Sequence, residues 1–419
     1  MFLLKLTILI VLFIWLLAMI IAYSYGRVGR RMQSQQKLVP VTKALPPLSV
    51  VIIAHNQAKA LRRHLPAILQ QDYDRFEVIV VNTGSTDDTK DVLERFEFQY
   101  ANLHHTFTPH SARDISLERL ALTLGIRAAN YEWVVMTRPD CEPASAQWLT
   151  RIGETIVEPS RSIQSPSLST PDIVIGQARF AESRHAWGSR KVSFLRLWND
   201  MHAFEHILLG HTAIRADGCN LAYRKSYFLE RNGFSEHQSL EMGAEELLVN
   251  YNATRSNTAL VLAPSATVFQ DPLTDERVWL NRRIYDRETR HHQRHTWLFH
   301  ARQNLRLAMP WLIIIAVALC IALPFLAQTL QSYLPKELAE LPFTADATLY
   351  TLAAIVLALL IIVYIVTKTS NFNATARALG YSPFHLTFLL YELRLPFWNL
   401  SDAIARRRAS RNEFRKKFV

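Results

Sequence analysis

Polar residues follow two apolar segments near the start of the chain, and their types suit a nucleotide. The apolar segments are residues 48–54 and 76–81, and a helix-like stretch separates them. Strand, helix and strand in this order predict the opening of a parallel α/β sheet, in which ligands bind beyond the carboxyl ends of the strands. Hydroxyl, amide and imidazole groups at both ends suit a ribose and a base. These residues are His55, Asn56, Asn82, Thr83 and Ser85.

Further segments extend the predicted sheet and carry acidic residues. Residues 115–130 have helical periodicity, and residues 132–137 form a short apolar strand that leads into Arg138-Pro139-Asp140-Cys141-Glu142. Residues 173–177 indicate another strand. The predicted fold class is therefore α/β, with a mostly parallel sheet, in residues 48–275.

Three apolar segments are long enough to cross a bilayer, for which about 20 residues are needed. They are residues 6–25, 305–327 and 347–366. The first is longer than the apolar core of a signal peptide and no small-residue cleavage site follows it, which favours a membrane helix. Residues 276–304 are rich in arginine, histidine and aromatic side chains, as in an amphipathic helix at a membrane surface.

The net charge of +11 is concentrated beside these spans. Arginines follow the first span, precede the second and crowd the C-terminus, so the positive-inside rule places residues 27–304 in the cytosol. The charge then reflects orientation and attraction to membrane lipids, and nucleic-acid binding is disfavoured. Cys141, Cys219 and Cys320 show no metal-binding spacing, which argues against a zinc site or a disulfide framework.

These observations predict six regions. In order, they are an N-terminal transmembrane helix (1–26), a basic linker (27–47), an α/β domain (48–275), an amphipathic interfacial helix (276–304), a transmembrane hairpin (305–369), and an interfacial segment with a basic cytoplasmic tail (370–419).

Five segments in order along residues 48–250 resemble the membrane-anchored family-2 glycosyltransferases, which are inverting enzymes with a GT-A fold. The order and spacing of the segments make the resemblance specific. The segments are VVIIAHNQ, VVNTGSTDDT, LALTLGIRAANYEWVVMTRPDCEPASAQWL, DGCNLAYRKSYFLERNGF and GAEELLVN.

The resemblance implies sugar transfer from a nucleotide-sugar donor with the help of Mg²⁺ or Mn²⁺. A cation held by carboxylates neutralises the leaving diphosphate, and a second carboxylate takes the proton of the acceptor hydroxyl. Asp140 and Glu142 correspond to the metal ligands. Glu246, with Glu245 as its alternative, corresponds to the base.

The resemblance also implies contacts to the donor or acceptor. Besides the five polar residues at the strand ends, they would come from Arg138, Asn220 and Arg224.

The chain departs from the family pattern in three places. Arg138 stands where a second acid is usual, and Asn82 and Thr83 replace two common aspartates. Residues 279–292 lack the Arg-Trp pair of processive synthases, which argues against a polymer synthase. Asp140 would otherwise cap a helix beginning near Ser145, and the glutamates at 245 and 246 would otherwise be solvated first-turn residues.

The sequence therefore predicts a multi-pass protein of the bacterial inner membrane with a cytosolic glycosyltransferase domain. The apolar segments suggest a lipid-linked or glycan acceptor, as in cell-surface polysaccharide or glycolipid biosynthesis. Two alternatives remain: an inactive glycosyltransferase-like scaffold of a polysaccharide assembly complex, and a transporter subunit. Apart from Arg306 at the edge of the second, the three spans carry no charge, which disfavours transport.

Overall fold

The computed structural model describes residues 2–35, 44–108, 116–158, 170–182, 189–235, 240, 242–273, 275–333 and 347–408. The chain divides into two compact units. We name the first the helical unit; it comprises Met1–Gly29, Trp297–Arg377 and Ser382–Phe397. We name the second the α/β unit; it comprises Arg30–Thr296, Ala378–Tyr381 and Trp398–Val419.

Ten strands build two sheets in the described part of the α/β unit. They are β1 Leu48–Ala54, β2 Phe76–Asn82, β3 Leu103–Phe107, β4 Trp133–Thr137, β5 Cys141–Pro143, β6 Ile173–Gly176, β7 Ala178–Phe180, β8 Leu221–Arg224, β9 Thr258–Val261 and β10 Val268–Gln270.

Helices occur in both units. They are α1 Phe2–Ser24, α2 Arg27–Gln35, α3 Ala58–Leu69, α4 Thr89–Gln99, α5 Leu117–Ala128, α6 Trp148–Val157, α7 Ser189–Leu208, α8 Lys225–Glu230, α9 Ala244–Asn252, α10 Glu276–His292, α11 Trp297–Tyr333, α12 Ala347–Ala378 and α13 Thr387–Arg408.

The larger sheet has seven strands in the order β3-β2-β1-β4-β8-β6-β9. Strand β8 runs antiparallel to both of its neighbours, and the other pairs are parallel. Strands β1, β2 and β4 are apolar and almost entirely buried, as expected when both faces of a sheet are covered. Helix α5 lies close to β1 because Gly125 has no side chain there: a Cβ atom would lie 2.5 Å from Val51 Cγ1. The mostly parallel α/β sheet predicted from the sequence is confirmed.

A second sheet of three short strands, in the order β5-β10-β7, holds the chain just after β4. Strand β10 is antiparallel to β5 and parallel to β7. The register places Gln270 opposite Cys141, which is one residue beyond Asp140. This small sheet therefore fixes the backbone beside the predicted acidic residues.

The region predicted as one amphipathic helix over residues 276–304 is broken in the structure. Helix α10 ends at His292 and α11 begins at Trp297. His295 between them has a left-handed backbone with φ of 57°, and the backbone N–H of Arg294 donates to Asn250 Oδ1 over 2.7 Å. These contacts end the first helix and redirect the chain.

Two helical stretches in the described residues are long and apolar enough to cross a membrane, Val11–Gln33 and Ile355–Ala378. They overlap two of the three predicted spans. Residues 305–327 lie within α11, and this third span is not confirmed. Residues 334–346, between the last two predicted spans, and the basic residues after 408 lie outside the described residues.

A buried ion pair lies in the helical unit, just beyond the predicted span 347–366. Lys368 Nζ is 2.6 Å from Glu392 Oε2, and the two residues are 0% and 1% exposed. Tyr25 donates its hydroxyl proton to Glu392 Oε1 over 2.7 Å, and Lys368 donates to Tyr364 Oη over 2.8 Å. The candidate span extends beyond residue 366 and so includes Lys368, which the shorter predicted span excluded.

Candidate active site

The loops after β1 and β2 hydrogen-bond to each other at the carboxyl edge of the large sheet. The backbone N–H of Asn56 donates to Ser85 Oγ over 2.9 Å, and Asn56 Oδ1 accepts from the N–H of Thr86 over 2.8 Å. Asp87 Oδ2 accepts from the N–H of Ala58 over 3.1 Å. We call these linked loops, residues 55–58 and 83–89, the rim. Their mutual bonds fix the shape of this edge before any ligand arrives.

The predicted nucleotide-binding residues differ in what they offer at the rim. His55 and Asn56 are exposed, whereas Asn82 and Thr83 are only 8% and 7% exposed. Asn82 Oδ1 accepts from the N–H of Ser85 over 3.0 Å, and Thr83 Oγ1 donates to the Ala54 carbonyl over 3.2 Å. The buried pair therefore shapes the rim, and the exposed pair is accessible from solvent.

Asp140 follows β4 at the same edge and is partly exposed. Its Oδ2 atom accepts a hydrogen bond from Gln270 Nε2 over 2.9 Å, and its backbone carbonyl accepts from the N–H of Asp271 over 2.8 Å. Its Oδ1 atom has a weak contact with Cys141 Sγ at 3.8 Å. One carboxylate oxygen of Asp140 is thus held by β10, and the other lacks a strong partner in the described residues.

Glu142 contacts the buried side chain of His64. Its Oε2 atom lies 3.1 Å from His64 Nδ1, and the other ring nitrogen of His64 lies 3.0 Å from Asp271 Oδ2. His64 is buried between these two carboxylates. This arrangement favours a structural role for Glu142.

The side chains at this edge of the sheet fit a divalent ion that takes most of its ligands from phosphate oxygens and water. No group of three or more His, Cys, Asp or Glu residues is placed to hold a metal within the described ranges. Mg²⁺ at phosphate-transfer sites commonly has one or two protein carboxylates, with phosphate oxygens and water completing the shell. Oδ1 of Asp140 meets that requirement.

Arg138 joins the end of β4 to the start of α9. Its Nη2 atom lies 3.6 Å from Glu245 Oε1 and 3.8 Å from Glu118 Oε1. Both carboxylates are largely buried; burial and the nearby charge of Glu245 raise the pKa of Glu118 to about 7. The arginine that replaces a usual acid is therefore neutralised by two glutamates from different helices.

Glu245 and Glu246 begin α9 after Gly243, whose φ is 75°. Glu245 is 5% exposed and packs on Gly218, where a Cβ atom would lie 2.1 Å from its Oε1. Glu246 Oε1 accepts from Gln293 Nε2 over 2.6 Å. Burial raises the pKa of Glu246 to about 7, despite the opposing charge of Arg215. Of the two glutamates, Glu246 is the more exposed and is suited to exchange a proton near neutral pH.

Asp217 ties the loop before β8 to the arginines of this site. It forms ion pairs with Arg196 and, at 3.9 Å, with Arg282 Nη2, and its Oδ1 accepts from the N–H of Cys219 over 3.0 Å. Burial raises the pKa of Asp217, but the charges of Arg196, Arg282 and Arg138 outweigh this and hold it well below the usual range. Asp217 is therefore a fixed negative charge.

The side chains of two predicted contact residues are engaged by other partners. Asn220 is 1% exposed; its amide donates to the carbonyls of Gln177 and Ala266 and accepts from Trp148 Nε1. Arg224 is paired in register with Trp133, at the amino end of β4, and lies 2.5 Å from Asp172 Oδ1. Asn220 thus stabilises the core, and Arg224 lies at the opposite end of β4 from Asp140.

Sequence reasoning missed Gln270 and Glu118. Gln270 ends a short apolar strand, and this is the signal that singled out Asn82, so the same criterion could have found it. Glu118 lies inside an amphipathic helix and carries no local signal. Its contact with Arg138 depends on how α5 packs against the sheet.

Comparisons with known proteins agree with this architecture. Residues 49–230 match the model of glycosyl transferase family 2. Glycosyltransferase AglE of Haloferax volcanii is 31% identical over 118 residues, which are 28% of this chain and 37% of that protein. The probable glycosyltransferase YdaM of Bacillus subtilis is 33% identical over 105 residues, 24% of each chain. The chain thus spans well under two thirds of the length of these relatives.

One similar solved structure is the mannosyltransferase PcManGT from Pyrobaculum calidifontis, in complex with GDP-Man and Mn²⁺. The similarity covers 88% of this chain and 97% of that chain, with 16% identity and a TM-score of 0.47.

The α/β unit has a GT-A type fold, a mostly parallel mixed sheet with polar loops at its carboxyl edge. The matched part of the chain, residues 49–230, is similar to glycosyl transferase family 2.

Proposed function

We propose that the chain is an inverting glycosyltransferase that moves a sugar from a nucleotide-sugar donor to a lipid-linked or glycan acceptor. The observation that carries the proposal is the contact between Arg138 and Glu245, 3.6 Å long. It joins the loop that holds Asp140 to the helix that holds Glu246, so the two acidic segments assigned from the sequence meet at one edge of the sheet. A single-displacement transfer needs both.

The rim supports donor binding. His55 and Asn56 present polar groups beside the carboxyl ends of β1 and β2, where nucleotides bind in open α/β sheets. Ser85, Asn82 and Thr83 hold this rim together. The donor thus meets a surface whose shape is already fixed.

Asp140, through Oδ1, would hold Mg²⁺ or Mn²⁺ together with the donor phosphates. The ion, when bound, supplies positive charge to the leaving diphosphate. Arg282 adds positive charge close to this edge, and Asp217 keeps it oriented.

Glu246 is the proposed base. In our mechanism its carboxylate removes the proton of the acceptor hydroxyl while that oxygen attacks the sugar from the face opposite the leaving group. A base with a pKa near the working pH is efficient, because it is largely deprotonated and still basic. Gln293 Nε2 donates to Oε1 of this carboxylate and so orients it.

The pH dependence of turnover tests this role. Glu246 must be deprotonated to act, and its pKa is raised to about 7, so kcat should rise as pH increases through about 7. At pH 6 we expect about a tenth of the plateau rate, since a base one unit below its pKa is about one tenth deprotonated. Glu246→Gln should abolish this rise together with turnover. A wild-type profile that is flat between pH 5.5 and 8 would contradict the assignment.

We propose a location at the inner face of the bacterial membrane, with three spans and a cytosolic catalytic domain. The two candidate spans and the flanking arginines of the sequence support it. This location would bring lipid-linked acceptors of cell-surface polysaccharide or glycolipid synthesis within reach.

A donor screen with the full chain in lipid nanodiscs tests the proposed activity. We expect one class among UDP, GDP, CMP and dTDP sugars to raise the thermal midpoint and to release its nucleotide when Mn²⁺ is present. Ligand at 100 times its Kd should add about 2.7 kcal/mol to the free energy of unfolding. Absence of stabilisation and turnover with every donor at millimolar concentration would favour an inactive scaffold and overturn the proposal.

A further inference from the structure

Gln270 is a buried amide at the end of β10 that contacts Asp140 on one side and two arginines on the other. Gln270 is 4% exposed. Its Nε2 atom donates to Asp140 Oδ2 over 2.9 Å. Its Oε1 atom accepts from Arg196 Nη1 over 2.9 Å and from Arg282 Nη1 over 3.4 Å. One side chain thus connects an acidic group and a basic pair.

The chemistry of these neighbours determines which way the amide faces. A carboxylate only accepts hydrogen bonds, and a guanidinium only donates them. The NH₂ group of Gln270 must therefore face Asp140, and its carbonyl oxygen must face Arg196 and Arg282. A carboxylate at position 270 would satisfy the arginines but repel Asp140, and an apolar side chain would satisfy neither.

The small sheet makes this position rigid. Gln270 is paired in register with Cys141, and the N–H of Asp271 donates to the carbonyl of Asp140 over 2.8 Å. Strand β10 thus holds Asp140 by both its backbone and its side chain. The rotamer of Asp140 is fixed through Oδ2, while Oδ1 stays available to a ligand.

The arginines on the other side of Gln270 are fixed as well. Arg196 donates to the Ala178 carbonyl over 2.8 Å and pairs with Asp217, and Arg282 lies 3.9 Å from Asp217. The amide therefore links Asp140 to a cationic pair whose own position is set by a permanent negative charge.

We propose that Gln270 is a positioning residue that orients the Asp140 carboxylate toward the donor diphosphate and its metal ion, and holds it in register with Arg196 and Arg282. This inference rests on the proposed glycosyltransferase function. It adds a residue that neither the sequence motifs nor the family match single out, and it assigns the small sheet a role in the reaction.

The test uses two variants with different chemistry and one control. Gln270→Leu removes both sets of hydrogen bonds. Gln270→Glu keeps an acceptor for the arginines, which protects the fold, but places a carboxylate oxygen against Asp140. Gln99→Glu makes the same chemical change on the exposed end of α4 and serves as the matched control.

Two readouts are measured on the full chain: Mn²⁺ binding in the presence of the nucleotide, from the signal of free Mn²⁺ in electron paramagnetic resonance, and kcat and KM for the donor. We expect Gln270→Leu to weaken Mn²⁺ binding and to lower kcat by about 10–100-fold, as for other partners that orient a metal ligand. Gln270→Glu should stay folded, with a thermal midpoint no lower than that of Gln270→Leu, and should lower kcat at least about tenfold. KM for the donor should change little, and Gln99→Glu should behave as wild type.

Wild-type Mn²⁺ affinity and kcat in the folded Gln270→Leu protein would overturn the inference, even if its thermal midpoint were lower, because Gln270 would then serve the fold alone. Wild-type kcat in Gln270→Glu would overturn it as well. Failure of the wild-type chain to bind or turn over any donor is a separate outcome. It would overturn both the proposed function and the inference about Gln270.

Discussion

Asp140→Asn is expected to lower kcat for sugar transfer by roughly 10²–10³-fold, the loss usual when a group that stabilises developing charge is removed. Asparagine is nearly isosteric and keeps an oxygen for Gln270 Nε2, which donates to position 140 over 2.9 Å in the wild-type chain. The backbone bond from the N–H of Asp271 is also retained. The change therefore removes negative charge while leaving the small sheet intact.

The measurement is the rate of nucleotide release from the donor identified in the screen, at saturating Mn²⁺. Asp74→Asn is the matched control, because Asp74 is exposed and precedes β2, at the edge of the sheet away from the rim. The thermal midpoints of both variants should stay close to wild type. An Asp140→Asn protein with more than a third of wild-type kcat would show that its carboxylate takes no part in the reaction.

Lys368→Met is expected to destabilise the helical unit by ~3–5 kcal/mol, the usual cost of leaving one member of a buried ion pair without its partner. Glu392 would remain 1% exposed, and only the hydroxyl of Tyr25 would still donate to it among the contacts described above. Methionine fills a similar volume, so the loss would come from the uncompensated charge and from the bond to Tyr364 Oη.

A double-mutant cycle with Glu392→Met separates charge from packing. Replacing both members of a buried pair by apolar residues is often neutral or stabilising, so the double variant should regain most of the stability lost in either single variant. Thermal unfolding in the same nanodiscs gives the coupling, with Lys59→Met on the exposed side of α3 as control. Additive losses in the double variant would mean that the pair contributes no specific interaction.

Much of the α/β unit was predictable because local patterns determine it. Strand β1 covers the predicted residues 48–54, and β2, α5 and β4 fall within one or two residues of their predicted limits. Each is a short apolar run or an amphipathic helix bounded by polar residues, so burial alone selects its structure.

The side-chain partners were less predictable, because they come from distant parts of the chain. Asn220 was expected to contact a ligand, but the packing of Trp148 and the carbonyl of Gln177 occupy its amide. Arg224 lies only four residues after Asn220 in the same motif, yet the antiparallel course of β8 places it at the far end of β4. The direction of a strand within a sheet is a property of the whole fold, which a local motif does not contain.

The partners of charged residues were difficult to predict for the same reason. Arg138 departs from the family pattern, and the two glutamates that neutralise it come from α5 and α9. The longer course of α12 likewise carried Lys368 into a helix that was expected to be free of charge. In both cases the compensating partner was far away in the sequence.

The mutual bonding of the rim restricts how this proposed donor-binding surface can be altered. Asn56 forms hydrogen bonds with Ser85 and Thr86, and Asp87 accepts a hydrogen bond from the first turn of α3. A graft that imports residues 55–58 from another transferase without residues 83–89 would separate these partners and leave both halves misshapen. Engineered chimeras should therefore exchange the two segments together.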